Sequence, residues 1–164
     1  MKNKVPILVS LTGILLGLLF ISCSRKENDE IQRSPTITRG VYGQVLERYG
    51  DWQPLYDPND NSRGYRPLVR EVYVYEYTKI QDFEGIYYCN YPADKMPKPL
   101  VTTTTSEEDG FYQIPLEPGT YSLFVLEEGC MYANGGDSYG GIQPVTIVAD
   151  TVLRTDLVIN HGVD

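Results

Sequence analysis

The chain has one histidine, one tryptophan and three cysteines among its 164 residues, and it has few basic residues, 14 against 22 acidic. Each shortage excludes something. His161 lies at the far C-terminal end, so a Cys–His or Ser–His–Asp arrangement has little to draw on. No His-Glu-x-x-His pair occurs. The scarcity of lysine and arginine removes the basic footprint that nucleic-acid binding needs. From Thr38 onward there is also no amphipathic helix. Short alternating runs broken by Gly, Pro and Asp clusters point instead to an all-β domain.

The one long apolar run stands at the start. Val5 to Ile21 follows Lys2 and Lys4, ends in Leu19-Phe20-Ile21-Ser22-Cys23, and gives way to the polar Ser24-Arg25-Lys26-Glu27-Asn28-Asp29-Glu30. A positive n-region, an apolar h-region and a small residue before the cut describe a signal peptide over residues 1–22. The run is short for a membrane span, and Pro6, Gly13 and Gly17 interrupt it. With the cysteine after the cut, the segment resembles the lipobox of bacterial lipoproteins, although Phe20 stands where that family prefers leucine. The resemblance implies a diacylglyceryl group on the Cys23 thiol, an acylated amino terminus, and an outer-membrane lipoprotein on the periplasmic face or at the cell surface. Residues 1–22 hold two lysines and no acids, so 12 basic and 22 acidic residues remain without them, a net charge of −10. Attachment to anionic lipid would then come from the acyl chains, each buried methylene contributing about 0.8 kcal/mol. Residues 23–37 are polar, aperiodic and contain Pro35, as a flexible tether would be. Residues 38–164 are enough for one domain with its own core.

If Cys23 carries lipid, Cys89 and Cys130 remain, an even number in an oxidising compartment. They are candidates for a disulfide whose closure would contribute about 4 kcal/mol on the chain-entropy model. Two unpaired thiols are one alternative; a catalytic cysteine is the other, disfavoured because the only histidine, His161, lies at the far C-terminal end.

The alternation predicts a seven-stranded Greek-key β-sandwich. Its strands are expected at Arg39–Glu47, Arg70–Thr78, Leu100–Ser106, Phe111–Leu116, Thr120–Glu127, Gln143–Val148 and Leu153–Asn160. Asp109-Gly110 supplies the positive φ of a hairpin turn. The stretches Tyr49–Pro67 and Ile80–Pro99 read as irregular insertions, and Gly129–Gly141 as a glycine-rich loop.

The middle of the chain resembles the carboxypeptidase regulatory-like family. The residues that carry the likeness are the threonine-rich Thr103-Thr104-Thr105, then Asp109-Gly110-Phe111-Tyr112, then Pro118-Gly119-Thr120-Tyr121. Gly40–Val45 is similar to the first strand of that family, and Pro144–Ala149 with Thr151–Ile159 to its last two. The resemblance implies a transthyretin-like sandwich that accompanies enzymes and receptors and does no chemistry itself, so no catalytic residue transfers.

Other chemistry is sparse. Glu107, Glu108 and Asp109 are adjacent carboxylates in a turn and splay apart, whereas hydrolysis needs two groups facing one bond. Asp57-Pro58-Asn59-Asp60-Asn61-Ser62 resembles the start of a calcium loop, but Ser62 stands in the glycine position and Leu68 in that of the bidentate glutamate. These residue types are common turn formers, so no metal is expected, nor any cofactor. Asp150-Thr151-Val152 is similar to an Asp-Thr-aliphatic O-glycosylation acceptor of some Gram-negative bacteria, which makes Thr151 a candidate.

Aromatic residues are plentiful, with fourteen tyrosines. If Val72 and Val74 face inward, Tyr73, Tyr75 and Tyr77 form an outward stripe at period two. Exposed, that stripe with Trp52 and the Gly129–Gly141 loop could bind a glycan or an envelope protein. Alternatively the two insertions fold back over it, or an inverted register places it in the core. The function expected is thus a non-catalytic, membrane-anchored binding or adhesion module. The alternative is a periplasmic accessory of an envelope complex.

Overall fold

In the computed structural model, residues 33–53, 62–84 and 91–162 are described. They form an all-β unit of two five-stranded sheets. The strands are β1 (Gly40–Tyr49), β2 (Gly64–Pro67), β3 (Glu71–Glu76), β4 (Leu100–Thr105) and β5 (Phe111–Pro115). They continue with β6 (Gly119–Glu127), β7 (Cys130–Tyr132), β8 (Pro144–Ile147), β9 (Val152–Arg154) and β10 (Leu157–Asn160). The signal peptide, Cys23, the tether through residue 32, the Asp57–Asn61 turn and Cys89 lie outside the described residues.

The first sheet is built on β1. Its first half pairs antiparallel with β5 and parallel with β9, and its second half antiparallel with β2 and parallel with β10. The second sheet runs β4-β3-β6-β7, with β8 on the first half of β6. Alternation sets the faces. Val41 and Val45 from β1 meet Val72 and Val74 from β3 and Leu123 and Val125 from β6 in a core that joins the two sheets, and these six side chains are buried. Burying such a side chain contributes about 1.5–3 kcal/mol.

Ten strands appear among the described residues where seven were expected. The end of the first insertion supplies β2, the glycine-rich loop begins as β7, and the final strand divides into β9 and β10. The division has a local cause. Gly43 passes so close to Thr155 that a Cβ there would sit 1.9 Å from the Thr155 carbonyl oxygen. Thr155 N donates to Tyr42 O at 2.8 Å, and the Asp156 carboxylate accepts from Gln44 N at 3.0 Å. The polar groups of the interruption are thereby satisfied.

A second correction concerns the turns. Asp109-Gly110 does not close a hairpin, because β4 belongs to the second sheet and β5 to the first. The turn carries the chain between sheets, as does Leu116–Pro118 before β6. Gly110 has φ 77° and packs against β1, where a Cβ would meet Val45 O at 2.6 Å. The true tight hairpin joins β6 to β7 through Glu128 and Gly129, both at positive φ.

The second sheet is apolar on its outer face as well. Tyr75, Phe124, Met131 and Ile142 form a second buried cluster, covered by Phe83, Tyr91 and Met96 from the second insertion. The phase of β3 is therefore as the sequence suggests, valines in and tyrosines out, while the insertion folds back over the tyrosines. Tyr75→Ala should consequently destabilise the domain by about 3 kcal/mol, in the range of large-to-small core substitutions. Urea unfolding of the variant beside the parent measures it.

Candidate functional site

The β3 tyrosines meet three different fates. Tyr75 is 6% exposed and packs edge-on against Phe124, ring centroids 5.8 Å apart. Tyr73 stacks on Tyr75 at 6.4 Å and donates its hydroxyl to Glu71 at 3.1 Å. Burial pushes the Tyr75 hydroxyl above its ordinary range, as it does for Tyr91, which packs on the other contact of Phe124. Neither Tyr73 nor Tyr75 forms an open platform. Tyr77 lies one residue beyond β3, where its hydroxyl donates to Asp137 Oδ2 at 2.8 Å.

That bond leads to the most organised loop of the described surface. Asp137 Oδ1 accepts from Tyr139 N and from Gly141 N, each at 2.8 Å. The Gly141 amide, with the Tyr77 hydroxyl, the Tyr139 amide and nearby Lys79, holds the Asp137 carboxyl below the usual carboxylate range. Three donors on one carboxylate fix the loop from inside. Backbone bonds fix it from outside. Ile80 N donates to Gly140 O at 2.9 Å, Ile142 N to Thr78 O at 2.9 Å and Gln143 N to Gly135 O at 2.7 Å. Thr78 is itself pinned, its amide donating to the fully buried Ser122 hydroxyl at 3.0 Å. Glycine is required at two places. Gly140 has φ 80°, and a Cβ on Gly141 would sit 2.4 Å from the Tyr77 ring.

The tip of this loop is aromatic and open. Tyr139 is 78% exposed, and Ile80, bonded to the loop beside it, is 63% exposed. The sequence marks Gly129–Gly141 as a loop from its glycines. It does not mark Asp137 as the brace, because the donor that ties the loop to the sheet, Tyr77, lies sixty residues away in the chain.

Trp52 is used internally. Its indole Nε1 donates to Tyr49 O at 2.9 Å, its ring lies 4.5 Å from the Arg48 guanidinium and 4.8 Å from that of Arg63, and Tyr65 packs at 5.7 Å. Gly162 fits against the indole where a Cβ would lie 2.9 Å away. The tryptophan thus joins the ends of β1, β2 and the C-terminal segment. Tyr65 is the exposed aromatic of this group.

The structure also assembles a cluster that sequence spacing hides. Glu47 and Glu127 occupy inward positions of β1 and β6, continuing Val41-x-x-x-Val45 and Leu123-x-Val125. His161 Nδ1 lies 3.0 Å from Glu47 Oε1, and its Nε2 lies 3.6 Å from Glu127 Oε1. Arg66 pairs with Glu47, and Arg70 with Glu127 at 2.6 Å. The two sheets are thereby joined at one end through a chain of acidic and basic side chains. A carboxylate in the inward phase of an apolar strand is the signal that could have found it. Each acid here is occupied by a base, so the cluster works as a clasp. At the β4–β5 crossing, Glu107 and Asp109 are likewise held by Arg33 at 2.6 and 3.3 Å. Among the described residues no three His, Cys, Asp or Glu side chains converge as a metal would require.

Cys130 is disulfide-bonded, and its expected partner Cys89 lies outside the described residues. Thr151 is exposed in the turn before β9, where its carbonyl accepts from Gly40 N at 3.1 Å.

Arg66 first, then His161, hold the Glu47 carboxyl below its ordinary range. A carboxylate depressed in the folded state contributes stability above its unfolded value, and that contribution is lost as pH falls through the folded value. Glu47→Gln should therefore lower stability at neutral pH and make the loss of stability below about pH 4 shallower. Thermal unfolding of both proteins across that range measures the difference.

Comparison with protein-family models, with curated proteins and with solved structures finds no match to this chain.

Proposed function

We propose that the chain is an exported lipoprotein, anchored through acyl groups on Cys23, whose two-sheet domain presents the braced 135–141 loop as a recognition tip. The observation that carries this reading is Tyr139, 78% exposed on a loop held by Asp137. An aromatic side chain on a loop already ordered loses little entropy on contact, so its apolar area is available for binding. Ile80 widens the tip. The partner is a protein or glycan of the cell envelope, and the domain does no chemistry itself.

The lipobox residues and the signal peptide support the anchor. The motif residues support a carboxypeptidase regulatory-like, transthyretin-like sandwich. The threonine-rich run is β4, Asp109-Gly110-Phe111-Tyr112 leads into β5, and Pro118-Gly119-Thr120-Tyr121 opens β6. Membership of that type would make the turns and core, not a catalytic centre, the constrained part of the chain.

Three measurements test the proposal. Cys23→Ser should abolish incorporation of labelled palmitate and release the protein from membranes. Tyr139→Ser with Ile80→Ser should remove capture of the envelope ligand while leaving stability within about 0.5 kcal/mol of the parent, as surface substitutions do. Protease treatment of intact cells then locates the tip: digestion places the ligand outside, and protection until lysis favours an assembly accessory in the periplasm. Undiminished capture by the double variant would remove the tip from the proposal.

A further inference from the structure

Sheet edges expose unpaired backbone groups, and this fold guards most of its own. Beside β7, Met131 N donates to Tyr91 O at 2.7 Å. Asn134 Nδ2 donates to Val158 O on β10 at 2.9 Å. The incoming segment lies along β5, where Thr36 N donates to the Gln113 side chain at 2.8 Å. β8 opens on a proline, β9 has three residues, and β2 carries Arg66 and Pro67. β4 differs. It is six residues long, Leu-Val-Thr-Thr-Thr-Thr, carries no charge, and among the described residues pairs on one side only, with β3, in a register that shifts between Val74 and Tyr75. Leu100 is 50% exposed and Val101 43%, and Thr103 and Thr105 are also exposed. A long, uncharged edge, uncovered among the described residues, is a template for another strand.

The phase of the edge is set. Ser106 N donates to Arg70 O at 2.9 Å, and Thr104 and Thr102 stand opposite Val72 and Val74. In an antiparallel ladder alternate residues turn both backbone groups to one neighbour. Thr104 and Thr102 therefore face β3, and Thr103 and Thr105 present N–H and C=O to the open side.

The charges flanking the strand select what fits there. Lys98 precedes β4 and Glu108 follows it, while Glu107 and Asp109 beside it are held by Arg33. Lys98 makes a loose contact with Asp82 at 3.6 Å, and Glu108 is exposed with no ion-pair partner among the described residues. A parallel copy of the same strand would set like charges together at both ends. An antiparallel copy sets each basic end against an acidic one, twice, across a two-fold axis.

We propose that β4 is a self-association edge. Two copies pair antiparallel through it about Thr103, joining their second sheets into one continuous sheet. Thr103 exchanges two backbone hydrogen bonds with its symmetry mate, and Thr105 comes opposite Val101, the residue passed over where the β3–β4 register shifts. Threonine pairs across such a seam are favourable, and no like charges stand opposite each other. The pairing is isologous and closes at two copies. A single-strand seam is small, which places the dimer at the weak, concentration-dependent end of specific interfaces.

The test uses the full chain in detergent with Thr103→Cys and a short bis-maleimide reagent, beside Thr146→Cys on exposed β8 as the proximity control. Cross-linked dimer should form at position 103 above the background of the unsubstituted chain, and not at position 146. Adding Glu108→Lys should weaken dimer formation about fivefold, the effect of like charges placed opposite. Adding Lys98→Glu to that variant should restore it. Equal cross-linking at both positions, none at position 103, or no rescue by the charge exchange overturns the proposal. So does cross-linking of position 103, in native envelope membranes, to a protein of another size, which would assign the edge to a foreign strand.

Discussion

β6 buries four consecutive residues, Ser122 through Val125, so both of its faces are closed to water. A strand of that kind needs a layer on each side. The first sheet provides one, through Val41, Val45 and the residues around them, and the chain between β3 and β4 provides the other, through Phe83, Tyr91 and Met96. The second insertion is therefore part of the core. Its place over Phe124 takes Tyr73 and Tyr75 out of contact with solvent partners, and exposed aromatic area is left at the loop ends and the strand margins.

Charge follows the same logic. The chain is strongly acidic, yet Glu47 and Glu127 point inward at the end of the core, where an unpaired carboxylate would be costly. Arg66 and Arg70, four residues apart, pair with them, and His161 contacts both from the C-terminal segment. Scarce bases are thus spent on these two acids, and the acids that remain exposed keep the surface negative. This leaves the uncharged β4 and the Tyr139 tip as places where contact carries little electrostatic penalty.

Much of this was legible in the sequence and some of it could not have been. Period-two alternation gave the correct phase for Val72–Tyr75 and Leu123–Val125, because side-chain direction along a strand is a local property. The Asp109-Gly110 and Pro118-Gly119 turns were also visible, but their destinations were not. A turn's backbone angles are local, whereas the sheet that accepts the next strand depends on β1, far away in sequence. The break between β9 and β10 depends on Gly43, which looks like any strand glycine until Thr155 is beside it. The site was less legible than the fold. Asp137 resembles an ordinary loop acid, and its role arises from meeting Tyr77 across sixty residues. Glu47 was readable in principle, as a charge in an apolar phase.

The order in which β1 is held has a mechanical side. The chain enters the domain through Arg33, clipped to Glu107 and Asp109, and then runs into β1, which is bonded along its length to β5 and β2 on one side and β9 and β10 on the other. A pull from the N-terminal side draws β1 along its own axis, across hydrogen bonds that lie perpendicular or slanted to the load. Such rows are sheared together rather than opened one at a time. The ion pairs of Arg33 and the Thr36–Gln113 contacts yield first and give the chain slack, while the strand behind them resists as a unit. The domain is thus strongest along the direction in which a leash on its N-terminal side would pull.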